Sequence, residues 1–258
     1  MRVVIIQPNI FWEDKMVNLN RYNEDLSKIE SSDLIVFPEM FTTGFSMKPE
    51  IYSETMDGET IQWMKSWSQK LNSAICGSLI IEEKEKYYNR FLFIKPNGDL
   101  EFYDKVHLFC YGEENKHYKP GHKKIIIDWR GFRILPLICY DLRFPVFSRY
   151  NDNKSYDLII NVANWPESRN LAWKTLLKAR AIENQCYVIG CNRVGKDGSG
   201  IAHSGDSSVI LPSGDTLIES QDDTLIKVEI FTEEVLKSRN DFPFLKDRDF
   251  FKLGFNLI

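Results

Sequence analysis

Cysteine is scarce in this sequence, with five residues among 258. Their number is odd, no Cys-x-x-Cys pair occurs, and a chain of this length does not depend on disulfide bridges for a stable core. No apolar run approaches the roughly 20 residues that a membrane helix needs. The apolar run at the N-terminus ends at Pro8 and is too short for a signal peptide. We therefore expect a cytoplasmic protein with reduced thiols and no membrane contact.

Basic residues are not in excess either, because 33 Lys and Arg face 37 Asp and Glu, for a net charge of −4. A nucleic-acid-binding protein needs a basic face, so no nucleic-acid partner is expected. A small anionic substrate is still compatible, since one or two local cations suffice. The sequence also lacks a phosphate-binding loop, a dinucleotide-binding glycine motif and a G-x-S-x-G elbow. Glu114-x-x-His117 with nearby His122 is interpreted as a solvated loop, and no metal site is predicted.

Short β-branched runs alternate with helical patterns in both halves of the chain. Apolar residues spaced three and four apart predict a helix through Leu19, Tyr22, Leu26 and Ile29. A second helix, at about 168–184, is predicted to bury Ala172, Leu176, Ala179 and Ile182. The predicted strands are 2–7, 33–37, 74–81, 87–95, 100–103, 124–127, 132–139, 157–161, 186–192, 206–211 and 224–230. This alternation indicates an α/β fold, and the absence of a linker favours one domain over residues 1–258.

Three polar residues stand at the carboxyl ends of predicted strands, where chemistry gathers in sheets covered by helices. They are Glu39, Lys105 and Cys139. Each also has an ordinary interpretation, as a solvated carboxylate, a surface charge and a small buried side chain. The other cysteines are predicted to be core at positions 76, 186 and 191, and Cys110 is left undecided. From the residues alone, a cysteine hydrolase is one possibility.

Four sequence blocks together resemble the nitrilase superfamily of carbon–nitrogen hydrolases. The blocks are Val36-Phe-Pro-Glu39-Met40, Lys105-Val-His107-Leu-Phe109, Leu137-Ile-Cys139-Tyr-Asp141-Leu-Arg143-Phe-Pro145 and Lys178-Ala-Arg180-Ala-Ile-Glu183-Asn184-Gln185. The resemblance covers nearly the whole chain. It implies a four-layer α-β-β-α sandwich of two mixed sheets that pairs into dimers. It also implies a catalytic Glu–Lys–Cys triad of Glu39, Lys105 and Cys139. A second family glutamate corresponds to Glu113 or Glu114, and the distance to Pro120-Gly121 favours Glu114.

Three further blocks resemble the bacterial omega-amidase branch, which removes the terminal amide of 2-oxoglutaramate. They are Val162-Ala-Asn164-Trp-Pro166, Gly190-Cys-Asn-Arg-Val-Gly195 and His203-Ser-Gly-Asp-Ser207. The implied reaction passes through a Cys139 thioester and requires no metal or organic cofactor. Lys105 and the Tyr140 backbone N–H would hold the oxyanion. A nearby cation and a helix beginning at Tyr140 would favour the thiolate.

Substrate recognition is the less defined part of this hypothesis. Asn164 and Trp165 follow a predicted strand and are candidate pocket walls, although Trp165 is equally compatible with core or dimer packing. Arg169 is the candidate residue for binding a substrate carboxylate. Arg143 is an alternative, although it is also compatible with a structural ion pair with Asp141 or another acid. An N-carbamoyl compound or deaminated glutathione is an alternative substrate, and a non-catalytic α/β binding protein is an alternative of another class. The aromatic C-terminal tail, about 240–258, is predicted to dock on a partner subunit or on its own core.

Overall fold

The computed structural model describes residues 1–151, 154–252 and 254. The strands are β1 Arg2–Gln7, β2 Leu34–Val36, β3 Ala74–Glu83, β4 Lys86–Ile94, β5 Leu100–Asp104, β6 Ile127–Trp129, β7 Phe132–Ile138, β8 Leu158–Val162, β9 Tyr187–Cys191, β10 Val194–Lys196, β11 Ala202–Ser204, β12 Ser207–Ile210, β13 Thr216–Ser220 and β14 Thr224–Glu229. The α-helices are α1 Lys15–Ser27, α2 Pro49–Tyr52, α3 Glu59–Leu71, α4 Glu114–His117, α5 Pro145–Ser148, α6 Asn170–Asn184 and α7 Thr232–Asp241.

Two six-stranded mixed sheets form the centre of the molecule. Their strand orders are β14-β1-β2-β3-β4-β5 and β13-β12-β9-β8-β7-β6, and β10 pairs with β11 in a separate hairpin. Because side chains alternate along a strand, Val3 and Ile5 of β1 pack in the core shared by the two sheets. Val4 and Ile6 instead pack with the apolar faces of α1 and α3. The predicted sandwich of two mixed sheets covered by helices is confirmed.

Helix α6 covers the second sheet, but with a different face from the predicted one. Trp173, Leu177 and Ala181 are buried, whereas Ile182 is 49% exposed. The reason lies in Gly190 of β9, where an added Cβ would come within 2.5 Å of the Leu177 side chain. Because Gly190 has no side chain, the face of α6 that carries the large Trp173 and Leu177 side chains can approach the sheet closely. The predicted stripe through Ala172 is therefore only partly buried.

Other differences from the predicted elements concern short strands. Strand β6 lies a few residues after the predicted run 124–127, and β10, β11 and β13 were not anticipated. Residues 253 and 255–258 of the predicted docking tail lie outside the described residues. Among the residues that are described, no helix is long and apolar enough to cross a membrane.

The sheet directions place several strand ends at one edge of the sandwich. Strands β1, β2 and β3 run parallel in the first sheet, and β7, β8 and β9 run parallel in the second. β5 has the direction of β3, because β4 is antiparallel to both. The residues that follow β2, β5, β7 and β8 are those that come together in the site described next.

Candidate active site

A buried ionic cluster joins three of the predicted residues. Glu39 follows β2, Lys105 follows β5, and Glu114 begins α4; all three side chains are fully buried. The Lys105 ammonium lies 2.8 Å from Glu39 Oε1 and 2.9 Å from Glu114 Oε2. Two carboxylates thus share one cation away from water. Burial of charge is tolerated only where such partners are present.

Asn89 is a further member of this cluster that sequence reasoning missed. Its side-chain amide donates to Glu39 Oε1 at 2.7 Å and to Glu114 Oε1 at 3.0 Å. The amide itself is oriented by Ser78, whose hydroxyl donates to Asn89 Oδ1 at 2.8 Å. Glu114 is held from a third side by the Phe109 backbone N–H at 2.6 Å. The two carboxylates are therefore fixed by neutral donors as well as by Lys105.

Glu113, the alternative to Glu114, lies outside this cluster. It is exposed and pairs with Lys116 of the same turn. Its φ of +62° places it in the left-handed region at the start of α4. This turn directs Glu113 to solvent and Glu114 to Lys105, so Glu114 is the glutamate that the fold brings to the site.

The charge states of the cluster follow from its burial. Burial alone lowers the pKa of Lys105, but the nearby Glu114 and Glu39 carboxylates outweigh it and hold the pKa above its ordinary value. Lys105 is therefore an ammonium. Burial raises the pKa of Glu114, with Glu39 adding to the rise and Lys105 opposing it. Desolvation and the cation thus act in opposite directions on this carboxyl group.

Cys139 stands at a strained turn directly after β7. Its φ is +46°, a left-handed conformation that a non-glycine residue adopts only when the surroundings impose it. The chain continues as a 3₁₀ turn, Cys139–Arg143, and then as the one-turn helix α5. The expected helix beginning at Tyr140 is therefore replaced by two short turns, and helix-dipole support for a thiolate is correspondingly weak.

The protonation state of Cys139 also differs from expectation. Burial, followed by the Glu39 charge, raises the pKa of the thiol well above its ordinary value, although Lys105 opposes this rise. A hydrogen bond with Glu39 contributes in the same direction. Without a bound substrate the side chain is therefore a thiol rather than a thiolate. Its proton has an adjacent acceptor in Glu39.

Asn164 contacts the cluster more directly than a pocket wall would. Its backbone N–H donates to Glu39 Oε2 at 2.8 Å, and its side-chain amide donates to the Glu39 backbone carbonyl. These bonds connect the end of β8 in the second sheet with the residue that follows β2 in the first. Asn164 also lines the cavity described below.

A cavity of about 690 Å³ opens above Cys139. Tyr140, Trp165 and Arg169 all line it, as does Arg143. Trp165 is at the same time core, since it is 3% exposed and its ring centroid lies 5.4 Å from that of Trp173. Trp165 is therefore both a wall of the cavity and part of the core.

Two arginines of the cavity carry no acidic partner. The Arg143 guanidinium lies 4.8 Å from the Trp165 ring and that of Arg169 lies 5.4 Å from the Phe109 ring. Neither forms an ion pair within the part of the chain that is described. The considered pairing of Arg143 with Asp141 is wrong, because other groups occupy that carboxylate. Both cations are available to an anionic ligand.

The other four cysteines and the exposed His117 and His122 do not belong to the cluster. Cys76, Cys186 and Cys191 are buried, which confirms their predicted place in the core, and Cys110 is exposed. His117 and His122 are exposed as well. No group of three or more His, Cys, Asp or Glu side chains suited to a metal ion occurs among the described residues.

Comparison with known proteins agrees with this geometry. The sequence model of the carbon–nitrogen hydrolase family matches residues 2–239. The chain belongs to this family. It is 44% identical to the omega-amidase YafV of Escherichia coli K12 over 256 residues, which cover 98% of each chain. The family assignment confirms the predicted carbon–nitrogen hydrolase.

Two other relatives extend the comparison. The chain is 31% identical to the 2-oxoglutaramate amidase of Bacillus subtilis, with 84% of this chain and 85% of the relative covered. The crystal structure of the carbon–nitrogen hydrolase superfamily protein XC1258 from Xanthomonas campestris superposes with a TM-score of 0.95. That protein is 39% identical, and 98% of this chain and 99% of XC1258 are covered.

Proposed function

We propose that this carbon–nitrogen hydrolase cleaves the terminal amide of small 2-oxo dicarboxylic acid monoamides, of the 2-oxoglutaramate type, to the acid and ammonia. The observation that carries the proposal is the buried cluster of Glu39, Lys105 and Glu114 beside Cys139 at a cavity with unpaired arginines. The similarity to the E. coli omega-amidase and to the B. subtilis 2-oxoglutaramate amidase supports this substrate class.

In the first half of the reaction, Glu39 removes the proton of the Cys139 thiol as the sulfur attacks the amide carbon. A resting thiol suits this role, since the proton is given up only when an electrophile is present. The Lys105 ammonium and the Tyr140 N–H then hold the negative oxygen of the tetrahedral intermediate. One such donor typically contributes about 3–4 kcal/mol to the transition state.

In the second half, Glu39 returns its proton to the departing nitrogen, and ammonia leaves as the carbon–sulfur bond is retained in a thioester. Glu39 next takes a proton from water, whose oxygen attacks the thioester carbon. The carbon–sulfur bond breaks, the acid leaves, and the thiol recovers its proton. Glu114 and Asn89 keep Lys105 and Glu39 oriented through both halves.

Within the cavity, we assign the substrate carboxylate to Arg169, with Arg143 as a second cation of the same cavity. A guanidinium presents a fork of donors that matches a carboxylate. N-Carbamoyl acids and deaminated glutathione also carry carboxylates, so the cavity alone does not select among these anionic amides. The named activities of the relatives favour the 2-oxo amide.

The enzyme is further proposed to act as a homodimer in the cytoplasm. The dimer follows from the family resemblance and is supported by apolar residues on the outer side of α6, where Leu171 is 82% exposed. The cytoplasmic location rests on the five cysteines, none of which is paired. Neither feature enters the chemistry described above.

The decisive experiment measures ammonia release by the full chain from 2-oxoglutaramate, glutamine, N-carbamoyl acids and deaminated glutathione. We expect 2-oxoglutaramate to give the highest kcat/KM. Cys139→Ala removes the nucleophile and is expected to lower kcat by more than about 1000-fold. Cys110→Ala, at an exposed cysteine, is the control and is expected to keep the rate.

Two results would contradict the proposal. Substantial turnover by Cys139→Ala, with fold intact by circular dichroism, would remove the nucleophile assignment. A higher kcat/KM for an N-carbamoyl acid or deaminated glutathione would replace the substrate class.

A further inference from the structure

Asp141 is a buried carboxylate that the proposed mechanism does not use. It is fully buried and does not line the cavity. Its Oδ2 accepts from the Tyr103 hydroxyl at 2.8 Å and from the Ile138 N–H at 3.0 Å. Its Oδ1 accepts from the His107 N–H at 3.0 Å and lies 2.7 Å from His107 Nδ1. Four contacts on one carboxylate leave it no capacity for a ligand.

The residues in contact with Asp141, and Asp141 itself, lie close along the chain to Lys105 and Cys139, on both sides of each. Tyr103 and His107 are each two residues from Lys105, and Ile138 and Asp141 flank Cys139. The carboxylate therefore ties the chain segment that carries the ammonium to the turn that carries the sulfur. The same carboxylate closes the turn in which Cys139 has a φ of +46°.

His107 is the outer half of this connection. Its ring stacks on Phe144 with centroids 3.9 Å apart and planes inclined by 7°. The ring thus has a fixed orientation, and with Asp141 as its partner Nδ1 carries the hydrogen. Phe144 is itself at the end of the 3₁₀ turn that begins with Cys139.

We propose that Asp141 and His107 form a clamp that sets the distance between the Lys105 ammonium and the Cys139 sulfur. Both are positioning residues, since neither touches the substrate cavity. The inference rests on the proposed role of Cys139 as nucleophile. Small displacements of reacting groups, of about 1 Å, can lower rates by about 100-fold, so loosening the clamp lowers kcat while leaving KM nearly unchanged.

Two substitutions at His107 separate positioning from packing. His107→Phe keeps a flat ring against Phe144 but has no N–H for Asp141. His107→Asn loses the ring but keeps an amide donor near the place of Nδ1. We expect His107→Phe to lower kcat by about tenfold or more, with KM within about twofold of wild type. His107→Asn restores the donor and is expected to be several-fold faster than His107→Phe.

The rate of Cys139 alkylation by iodoacetamide is the second measurement, because it reports on the thiol and its base without substrate. It is expected to fall in His107→Phe in parallel with kcat. His122→Phe, at an exposed histidine, is the control and should change neither rate. Asp141→Asn replaces an accepting oxygen with a donor and is expected to reduce kcat further than His107→Phe.

The clamp is refuted if His107→Phe retains the wild-type kcat and alkylation rate. It is also refuted if His107→Asn has a lower kcat than His107→Phe. A third contrary result is a kcat that falls in both variants in proportion to their thermal midpoints of unfolding. These results are distinct from failure of the proposed function. If Cys139→Ala were active, the nucleophile assignment would fail; if Cys139→Ala were inactive and His107→Phe normal, only the clamp would fail.

Discussion

Arg169 and Arg143 are half-buried and lie against aromatic rings, and neither has an acidic partner among the described residues. Arg193, by contrast, is fully buried and donates to the carbonyls of Ile10, Val194 and Lys196. A guanidinium without an ion-pair partner at a cavity wall can bind an anionic ligand strongly. The aromatic ring excludes water from one side of the cation, and this strengthens the electrostatic attraction to the ligand. This contrast supports the proposal that the cavity arginines bind the substrate carboxylate.

Arg169→Leu is expected to raise KM for 2-oxoglutaramate by about 10- to 100-fold, which corresponds to about 1.5–3 kcal/mol for a charged hydrogen bond. The increase for a neutral amide of similar length should be much smaller. Steady-state kinetics on the two substrates measure the difference, and Arg130→Leu, far from the cavity, is the control. An equal increase in KM for both amides would contradict carboxylate binding by Arg169. If only Arg143→Leu raised KM selectively for 2-oxoglutaramate, Arg143 would be the carboxylate-binding residue instead.

The sequence predicts those site residues that lie in recognisable motifs, but not those that reach the site only through strand pairing. Glu39, Lys105 and Cys139 occupy family blocks at strand ends, so the sequence alone makes them candidates. Asn89 lies in the middle of β4, and its contact with Glu39 depends on the pairing of β4 with β3 and β5. Nothing in its local sequence indicates that pairing. Asp141 and His107 were visible within the blocks, but their mutual contact arises only when the two sheets meet.

Among secondary-structure elements, the β10–β11 hairpin was not predicted, because its strands are three residues long and its turn is rich in glycine. It supplies one wall of the cavity through Asp197, Ile201 and His203. His203 is 6% exposed, and its Nδ1 donates to the Ile201 carbonyl at 3.0 Å. Burial, followed by the nearby Arg193 charge, lowers its pKa to about 4.

This buried histidine makes the hairpin sensitive to acid. The unfolded chain takes up a proton at its histidines near pH 6.5, whereas folded His203 takes one only at about pH 4. The stability that neutral His203 contributes is therefore present above about pH 6.5 and is lost as the pH falls towards 4. Between about pH 7 and pH 4.5 the expected loss is about 2–3 kcal/mol.

Urea unfolding of wild type and His203→Asn at the two pH values measures this loss. Asparagine keeps a donor for the Ile201 carbonyl but does not titrate, so the variant should lose less free energy of unfolding on acidification than wild type. His122→Asn, at an exposed histidine, should lose as much as wild type. If the free energy of unfolding had the same pH dependence in wild type and His203→Asn, the pKa of His203 would not be lowered in the folded protein.

At the level of the whole molecule, α6 leaves two large apolar side chains exposed on the side that does not face the second sheet. One side of the helix buries Trp173 and Leu177, and the other leaves Leu171 82% and Ile182 49% exposed. The predicted stripe through Ala172 and Ile182 is only partly buried, because the close approach at Gly190 cannot be read from helical periodicity.

The second side of α6 is accordingly the surface proposed to meet another copy of the chain, with the helical layers of two sandwiches in contact. Leu171→Glu places a charge in that contact, where it would be desolvated without a partner. We expect wild type to sediment as a dimer and Leu171→Glu largely as a monomer. Ile51→Glu, at a 64% exposed residue of α2, which packs with β3 of the first sheet, is the matched control and should remain dimeric. A monomeric wild type, or a Leu171→Glu variant that stays dimeric, would contradict this arrangement.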